Sequence, residues 1–207
     1  MAHIQQFRFI NFIKESLPDY FISKKVLEIG SLNINGSVRT FFNECDYTGI
    51  DVANGKDVDI VSNGENYFEK ANTFDVIISC ECMEHNPMYQ KTWLNMLRML
   101  KNDGLIIMTC ATFGRPQHGT SLSEPVSSPL TIQLGQDYYK NLIRNDFEFV
   151  NMDVFFSDYL FETDYSSHDL YFIGIGKNSP KKIQEKFNVS KTIINDFYFK
   201  IAREGIK

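Results

Sequence analysis

An α/β fold with a mostly parallel sheet is predicted by three features of the 207-residue chain. Short apolar segments alternate with helix-compatible ones, the pattern of βαβ units. Residues 76–79 (VIIS) and 105–111 (LIIMTCA) are continuously apolar, as strands covered on both faces are. Glycines and acids fall where such strands end, most clearly in residues 26–37, VLEIGSLNINGS.

The elements follow in order. Residues 3–17 carry Ile4, Phe7, Ile10, Phe12, Ile13 and Leu17 on roughly one helical face, closed by Pro18. Residues 25–29 read as a short strand and 37–42 as a helix-compatible turn. Residues 46–52 (DYTGIDV) form a strand with an acid near its end; 58–61 form a brief strand and 73–79 a buried one. Residues 89–101 predict a helix with Trp93, Leu94, Leu97 and Leu100 on one face, stopped by Asn102, Asp103 and Gly104. After the strand at 105–111 comes a polar stretch, 112–136, with three prolines and no periodicity. A helix is expected at 137–144, then two final strands at 148–156 and 170–175. The apolar residues of the tail predict one or two helices packed on the domain or on a second copy.

Composition narrows the function. Hydrophobic residues make up 43% and charged residues 23%, as in a globular protein, and the length favours one substantial core. A net charge of −5 argues against broad nucleic-acid binding, which needs a basic face. No window reaches the roughly 18 apolar residues of a membrane span, and the charged first twenty residues do not read as a signal peptide. Cys45, Cys80, Cys82 and Cys110 lack zinc or redox spacing and read as free thiols of a reducing cytoplasm.

In open α/β sheets ligands bind at the carboxyl ends of the strands, near the switch in strand order. Segments 28–36, 79–85 and 111–120, and Asp51, all follow such ends. Asp51 lies 23 residues after Glu28, where an acid can accept hydrogen bonds from ribose hydroxyls. After Gly30 the next glycine is only Gly36, a poor spacing for wrapping a pyrophosphate against a helix. A cofactor without phosphates fits better.

The segments VLEIG, YTGID, FDVIISCECMEH and LRMLKNDGLIIMT, in this order, resemble the class I S-adenosylmethionine-dependent methyltransferases over about residues 24–112. GSLNINGSVR, GKDVDIV and the later GRPQHGT resemble a bacterial subset linked with surface-glycan or secondary-metabolite clusters. Where the family's loop has its second glycine, this chain has Leu32. The resemblance implies a Rossmann-like, doubly wound sheet of seven strands, the last antiparallel, with helices on both faces. It implies S-adenosylmethionine as cofactor. Glu28, Gly30 and Ser31 would lie around its methionine moiety, Asp51 at the ribose, and Ile50 or Val52 on the adenine. Ser62 or Asn63 would meet the adenine edge, and Ser79, Cys80, Glu81 and Cys82 would offer backbone groups to its amino-acid end.

Three histidines are expected to converge on the substrate side: His85 after the fourth strand, His118 after the fifth, and His168 before the last. His118 and His85 are the candidate bases; capping, packing or a solvated loop are the bland alternatives. Arg115 and His168 are candidate anchors for the acceptor, and Tyr138 and Tyr139 candidate stacking platforms. No metal site is expected, because no histidine pair has helical ligand spacing; a cation held with Glu84 or Asp169 is the alternative. The expected domain is 1–178, with an N-terminal helix within 1–23, a substrate-side loop at 112–136 and a helical extension at 179–207. The expected activity is O-methylation of a small polar acceptor, a sugar or glycan precursor, by a cytoplasmic monomer or homodimer. The rivals are a cofactor-fold binding protein without catalysis, a metal-assisted O-methyltransferase and a nicotinamide enzyme.

Overall fold

The computed structural model describes residues 3–204, so the ends of the expected units at 1–2 and 205–207 lie outside the described residues. Seven strands form one sheet: β1 (Lys25–Ile29), β2 (Asp46–Asp51), β3 (Ile60–Val61), β4 (Phe74–Cys80), β5 (Leu100–Ala111), β6 (Phe156–Asp164) and β7 (Asp169–Gly176). Their spatial order is β3-β2-β1-β4-β5-β7-β6. The first five pair in parallel, and β7 runs antiparallel to both β5 and β6. The last strand is therefore antiparallel, as the resemblance implied. The strand order reverses beside β1, whose neighbours are β2 and β4.

The continuously apolar strands feed two cores. Val26, Val76, Ile78, Leu105, Ile107, Tyr171 and Ile173 face helices α1 (Ile4–Ser16) and α4 (Lys181–Glu204). Leu27, Ile77, Ile106, Met108 and Phe172 face α2 (Tyr89–Met99), where Trp93, Met96 and Leu97 are buried. Burying a side chain of this kind stabilises by roughly 1.5–3 kcal/mol, so covering both faces explains why these strands lack polar alternation.

Three expectations are corrected. Leu94 is 44% exposed, and Leu100 opens β5 instead of closing the helix, so residues 102–104 lie inside a strand. Residues 137–143 form no helix; Lys140 N–H donates to the Glu84 carbonyl and Leu142 N–H to the Ala111 carbonyl, which holds the segment extended across the strand ends. The strand expected at 148–156 begins only at Phe156 and runs to Asp164, with a 3-10 turn, Met152–Val154, before it. Its acids, Asp158 and Glu162, interrupt the apolar pattern, and an edge strand tolerates them. The tail agrees with the expectation of one or two helices: it is a single one, α4, with Ile183, Phe187, Ile194, Tyr198 and Ile201 inward.

Helix α1 is anchored at its first turn by His3. Its Nε2 lies 3.0 Å from Asp169 Oδ2 and 3.7 Å from Glu81 Oε2. Burial disfavours the imidazolium, but these two carboxylates outweigh it and raise the pKa from 6.5 to about 10. When charged, Nδ1 donates to Gln5 Oε1 at 3.1 Å; when neutral it can cap Gln6 N–H at 3.4 Å. A raised folded-state pKa adds stability that is complete below pH 6.5 and is lost as pH rises through about 10. His3→Ala should therefore destabilise the fold by about 1.5–3 kcal/mol at pH 6, the scale of a charge-assisted hydrogen bond. The deficit should shrink steadily by pH 10; denaturant titrations of both proteins across this range check it, and a pH-independent difference would refute the pairing.

Candidate functional site

The site grows from the strand ends beside the order reversal. Gly30 follows β1 with φ +81°, and its N–H and that of Ser31 both donate to the Ile50 carbonyl, at 2.9 and 3.1 Å. A Cβ on Gly30 would stand 2.5 Å from Cys82 Cβ. The residue is therefore dictated by its left-handed backbone and by the β4 loop crossing over it, and not only by space for a ligand.

Two adjoining cavities open here, of about 80 and 270 Å³. Gly30, Asp51, Cys82 and His85 line both. The first also has Glu28, Ser31, Cys80 and Glu81 on its wall, together with Gln6 from α1. The second has Ile50, Val52, Ser62 and Asn63. No Lys or Arg lines either cavity among the described residues. Of the expected cofactor residues, Ser79 alone faces elsewhere: it is fully buried and its hydroxyl donates to the Ile29 carbonyl at 2.9 Å.

The acids are partly spoken for. Asp51 accepts from Leu32 N–H at 3.0 Å and Val52 N–H at 2.8 Å, and burial raises its pKa against these donors. Each oxygen keeps a second lone pair for a ligand. Glu28, 4% exposed, accepts from Tyr47 O–H at 2.8 Å; burial pushes it up to about 8, opposed by Tyr47 and Arg39. Glu81 sits in the left-handed region at φ +51° and accepts from Thr109 O–H at 2.8 Å. Burial works against its charge, but His3 holds its pKa down at about 2. Among the described residues, Gln6 Oε1 and Ser31 Oγ at the first cavity are buried without a hydrogen-bond partner, and Glu81 Oε2 has only the 3.7 Å ion pair with His3. Each such group costs about 1–3 kcal/mol until a partner arrives, so this wall fits a ligand bearing donors and positive charge.

Only two of the three expected histidines meet. The His85 and His118 rings stand edge to face with centroids 5.1 Å apart, and Tyr139 lies 5.5 and 4.9 Å from them. Burial and the neighbouring His118 lower His85 to about 3, and burial lowers His118 despite its contact with the Pro116 carbonyl. His168 turns away: with φ +57°, its Nδ1 lies 3.1 Å from the Phe113 carbonyl. His3 instead comes to the cluster from the far end of the chain, beside Arg115 and His118 around a third cavity of about 280 Å³. Arg115 donates to the Ser167 carbonyl at 2.6 Å and pairs with Asp169 at 3.2 Å, so its charge is partly committed within the protein. Tyr138 lines none of the three cavities, and Tyr139 supports the histidine rings from behind.

Sequence reasoning missed Gln6 and His3. The available signal was a glutamine inside an apolar helix stripe: Gln6 is buried with Phe9, Ile10 and Ile13.

Comparison with known proteins agrees with this geometry. A family model described as a methyltransferase domain matches residues 30–108. A search of the curated proteins finds no match. Among solved structures, phosphoethanolamine N-methyltransferase 2 of Haemonchus contortus, bound to S-adenosyl-L-methionine, is similar with a TM-score of 0.56 and 17% identity. That match covers 82% of this chain and 52% of the nematode enzyme, so the chain spans about half its length. The 1,6-didemethyltoxoflavin-N1-methyltransferase of Burkholderia thailandensis is similar with a TM-score of 0.52 and 11% identity, covering 86% of this chain and 92% of that one. These low identities speak to the fold alone. Residues 30–108 thus match a methyltransferase domain, and the chain shares the fold of S-adenosylmethionine-dependent methyltransferases of known structure.

Proposed function

We propose that the protein transfers a methyl group from S-adenosylmethionine to a hydroxyl of a small polar acceptor, a sugar or glycan precursor, in the cytoplasm. The observation that carries this reading is the pair of adjoining cavities, rich in acids and without lysine or arginine, with orphaned acceptors on the wall of the first. Such walls repel pyrophosphate, which disfavours the nicotinamide alternative, and suit a ligand carrying ammonium and sulfonium charges. Asp51 holds the ribose diol, Val52, Ser62 and Asn63 face the adenine, and Glu28, Gln6 and Glu81 face the amino-acid end. The third cavity takes the acceptor, with His118 and His85 at its junction with the first two. The similar structures, a phosphoethanolamine N-methyltransferase and a methyltransferase with bound 1,6-didemethyltoxoflavin, support a small acceptor and leave N-methylation as the second choice.

The bound cofactor supplies an electrophilic methyl carbon. The chain's part is to orient the acceptor against it and to accommodate the acceptor's proton. His118 is suited to that, because Nδ1 lies 3.1 Å from the Pro116 carbonyl, which fixes the proton there and leaves Nε2 free. The segment 112–136 reaches over both cofactor cavities through Ser127, Ser128, Leu130 and Gln136 and keeps water from the junction. Residues 1–178 act as the catalytic domain with 179–207 as its helical extension, as a monomer or homodimer. Four free thiols agree with a reducing compartment, and among the described residues no helix is long and apolar enough to cross a membrane.

Calorimetric titration with S-adenosylhomocysteine tests the core of this reading; absence of binding together with tight NAD binding would replace it. Asp51→Ala should weaken S-adenosylhomocysteine binding by about 1.5–3 kcal/mol in a protein that still folds. An unchanged affinity would remove Asp51 from the site.

Glu28 generates a pH dependence. In the free protein it is protonated below about 8, and a cationic ligand favours its ionised form. Binding therefore releases a proton, and affinity should rise with pH from 6 toward 8, by up to about tenfold per unit. Glu28→Gln should flatten that rise; titrations that slope alike in both proteins would show that another group is responsible. His118→Ala should keep cofactor affinity while slowing turnover by roughly 10²–10⁴-fold, the usual contribution of a positioned base, as measured by methyl transfer to the acceptor.

A further inference from the structure

We propose that Glu84, His85 and His118 form a binding site for a divalent transition-metal ion of zinc-like ligand preference, between the two cofactor cavities, which His85 lines, and the third cavity, which His118 lines. One ligand atom from each residue lies within 4.8 Å of the others. The three residues are 0%, 6% and 5% exposed. Among the described residues, Glu84 Oε2, both ring nitrogens of His85 and His118 Nε2 have no hydrogen-bond partner. Leaving so many buried polar atoms unsatisfied in one place is costly, and an ion would satisfy one atom of each residue together.

The surrounding shell has the form that metal ligands need. His118 Nδ1 is engaged by the Pro116 carbonyl, which turns Nε2 inward, and Glu84 Oε1 accepts from Ala111 N–H at 3.2 Å, which orients the other oxygen. Gly119 brings the loop backbone against His85, where a Cβ would stand 2.5 Å from Cε1. Two imidazoles and one carboxylate suit zinc, iron or cobalt in the divalent state and not magnesium or calcium. Three protein ligands leave a coordination position for water or an acceptor oxygen. The neighbouring cluster of His3, Glu81 and Asp169 meets the same distance criterion, but His3 and Arg115 already neutralise its acids.

The role of the ion, unlike its site, rests on the methyl-transfer reading. An acceptor hydroxyl at the open position would be acidified, and its O–H proton would pass to water. The new oxygen–methyl bond forms as the methyl–sulfur bond breaks, its electron pair staying on sulfur. With the ion bound, the base role given to His118 above would pass to water, and the two imidazoles would act through the ion.

The test uses the untagged full chain stripped by a chelator and titrated with Co²⁺, whose visible absorption reports nitrogen ligation. About one equivalent should bind, should be displaced by Zn²⁺ and not by Mg²⁺, and should be retained in His3→Ala. His85→Ala, His118→Ala and Glu84→Gln should each weaken binding by at least about tenfold. No cobalt absorption in the wild-type chain, or binding unchanged in His118→Ala, overturns the site. His118 lies in a loop whose bonds from Gly119 to Glu124 and between Thr120 and Ser123 are made by backbone, so this variant decides even if the core substitutions do not fold. S-adenosylhomocysteine titrations on the same samples separate the two readings: intact cofactor binding without cobalt binding overturns the metal site alone. Methyl transfer that survives chelation overturns the ion's catalytic role.

Discussion

Four carboxyl groups, Glu28, Glu81, Glu84 and Asp169, are buried beside the carboxyl ends of the parallel strands, and the rest of the site depends on how their charge is met. A buried carboxylate without partners is expensive enough that the group neutralises instead. Glu81 keeps its charge because His3 and Thr109 face it, and Asp169 has His3 and Arg115. Among the described residues, no cation lies within salt-bridge distance of Glu28 or Glu84, and burial pushes each to about 8. The edge is therefore a place where positive charge is missing, and a cationic cofactor, like the metal ion proposed above, would answer that shortage.

The same constraint explains why α1 matters to a site built from strands. The helix buries Phe9, Ile10 and Ile13 on the sheet, and this packing carries Gln6 and His3 to the strand ends. His3 then joins α1 to the β4 loop through Glu81 and to β7 through Asp169, three elements distant in sequence. Loosening the helix would expose the cavity wall and deprive two acids of their partner at once.

Legibility in the sequence divided along this line. Glu28, Gly30 and Asp51 could be read because each sits at the end of the strand that positions it, and the period of the chain marks strand ends. His85 and His118 could be read because topology alone puts the ends of β4 and β5 on one edge. His168 could not: it precedes β7 as expected, but a left-handed backbone turns its ring to the Phe113 carbonyl. Gln6 and His3 reach the site through tertiary packing of a helix, which no local pattern encodes. Strand β6 was displaced because Asp158 and Glu162 interrupt its apolar pattern on an edge open to water. Residues 137–143 stay extended because their backbone donors are taken by Glu84 and Ala111, a long-range demand that overrides local helix preference.

Leu32, the departure from the family's glycine loop, is absorbed by a compensating small residue. Gly55 faces it across the β2–β3 connection, and a Cβ there would stand 2.2 Å from Leu32 Cδ1. The loop keeps its shape because Leu32 N–H still reaches Asp51 and Gly36 N–H caps onto Asn33 Oδ1 at 2.9 Å. The loop then leads into a 3-10 turn, Val38–Phe41, and not into a helix of several turns. A dinucleotide's pyrophosphate depends on the aligned N–H groups and dipole at a helix N-terminus, and this connection offers neither. The bulky side chain and the missing helix thus agree: the loop can border a sulfonium cofactor, whose recognition rests on carboxylates, while it is unsuited to a phosphate.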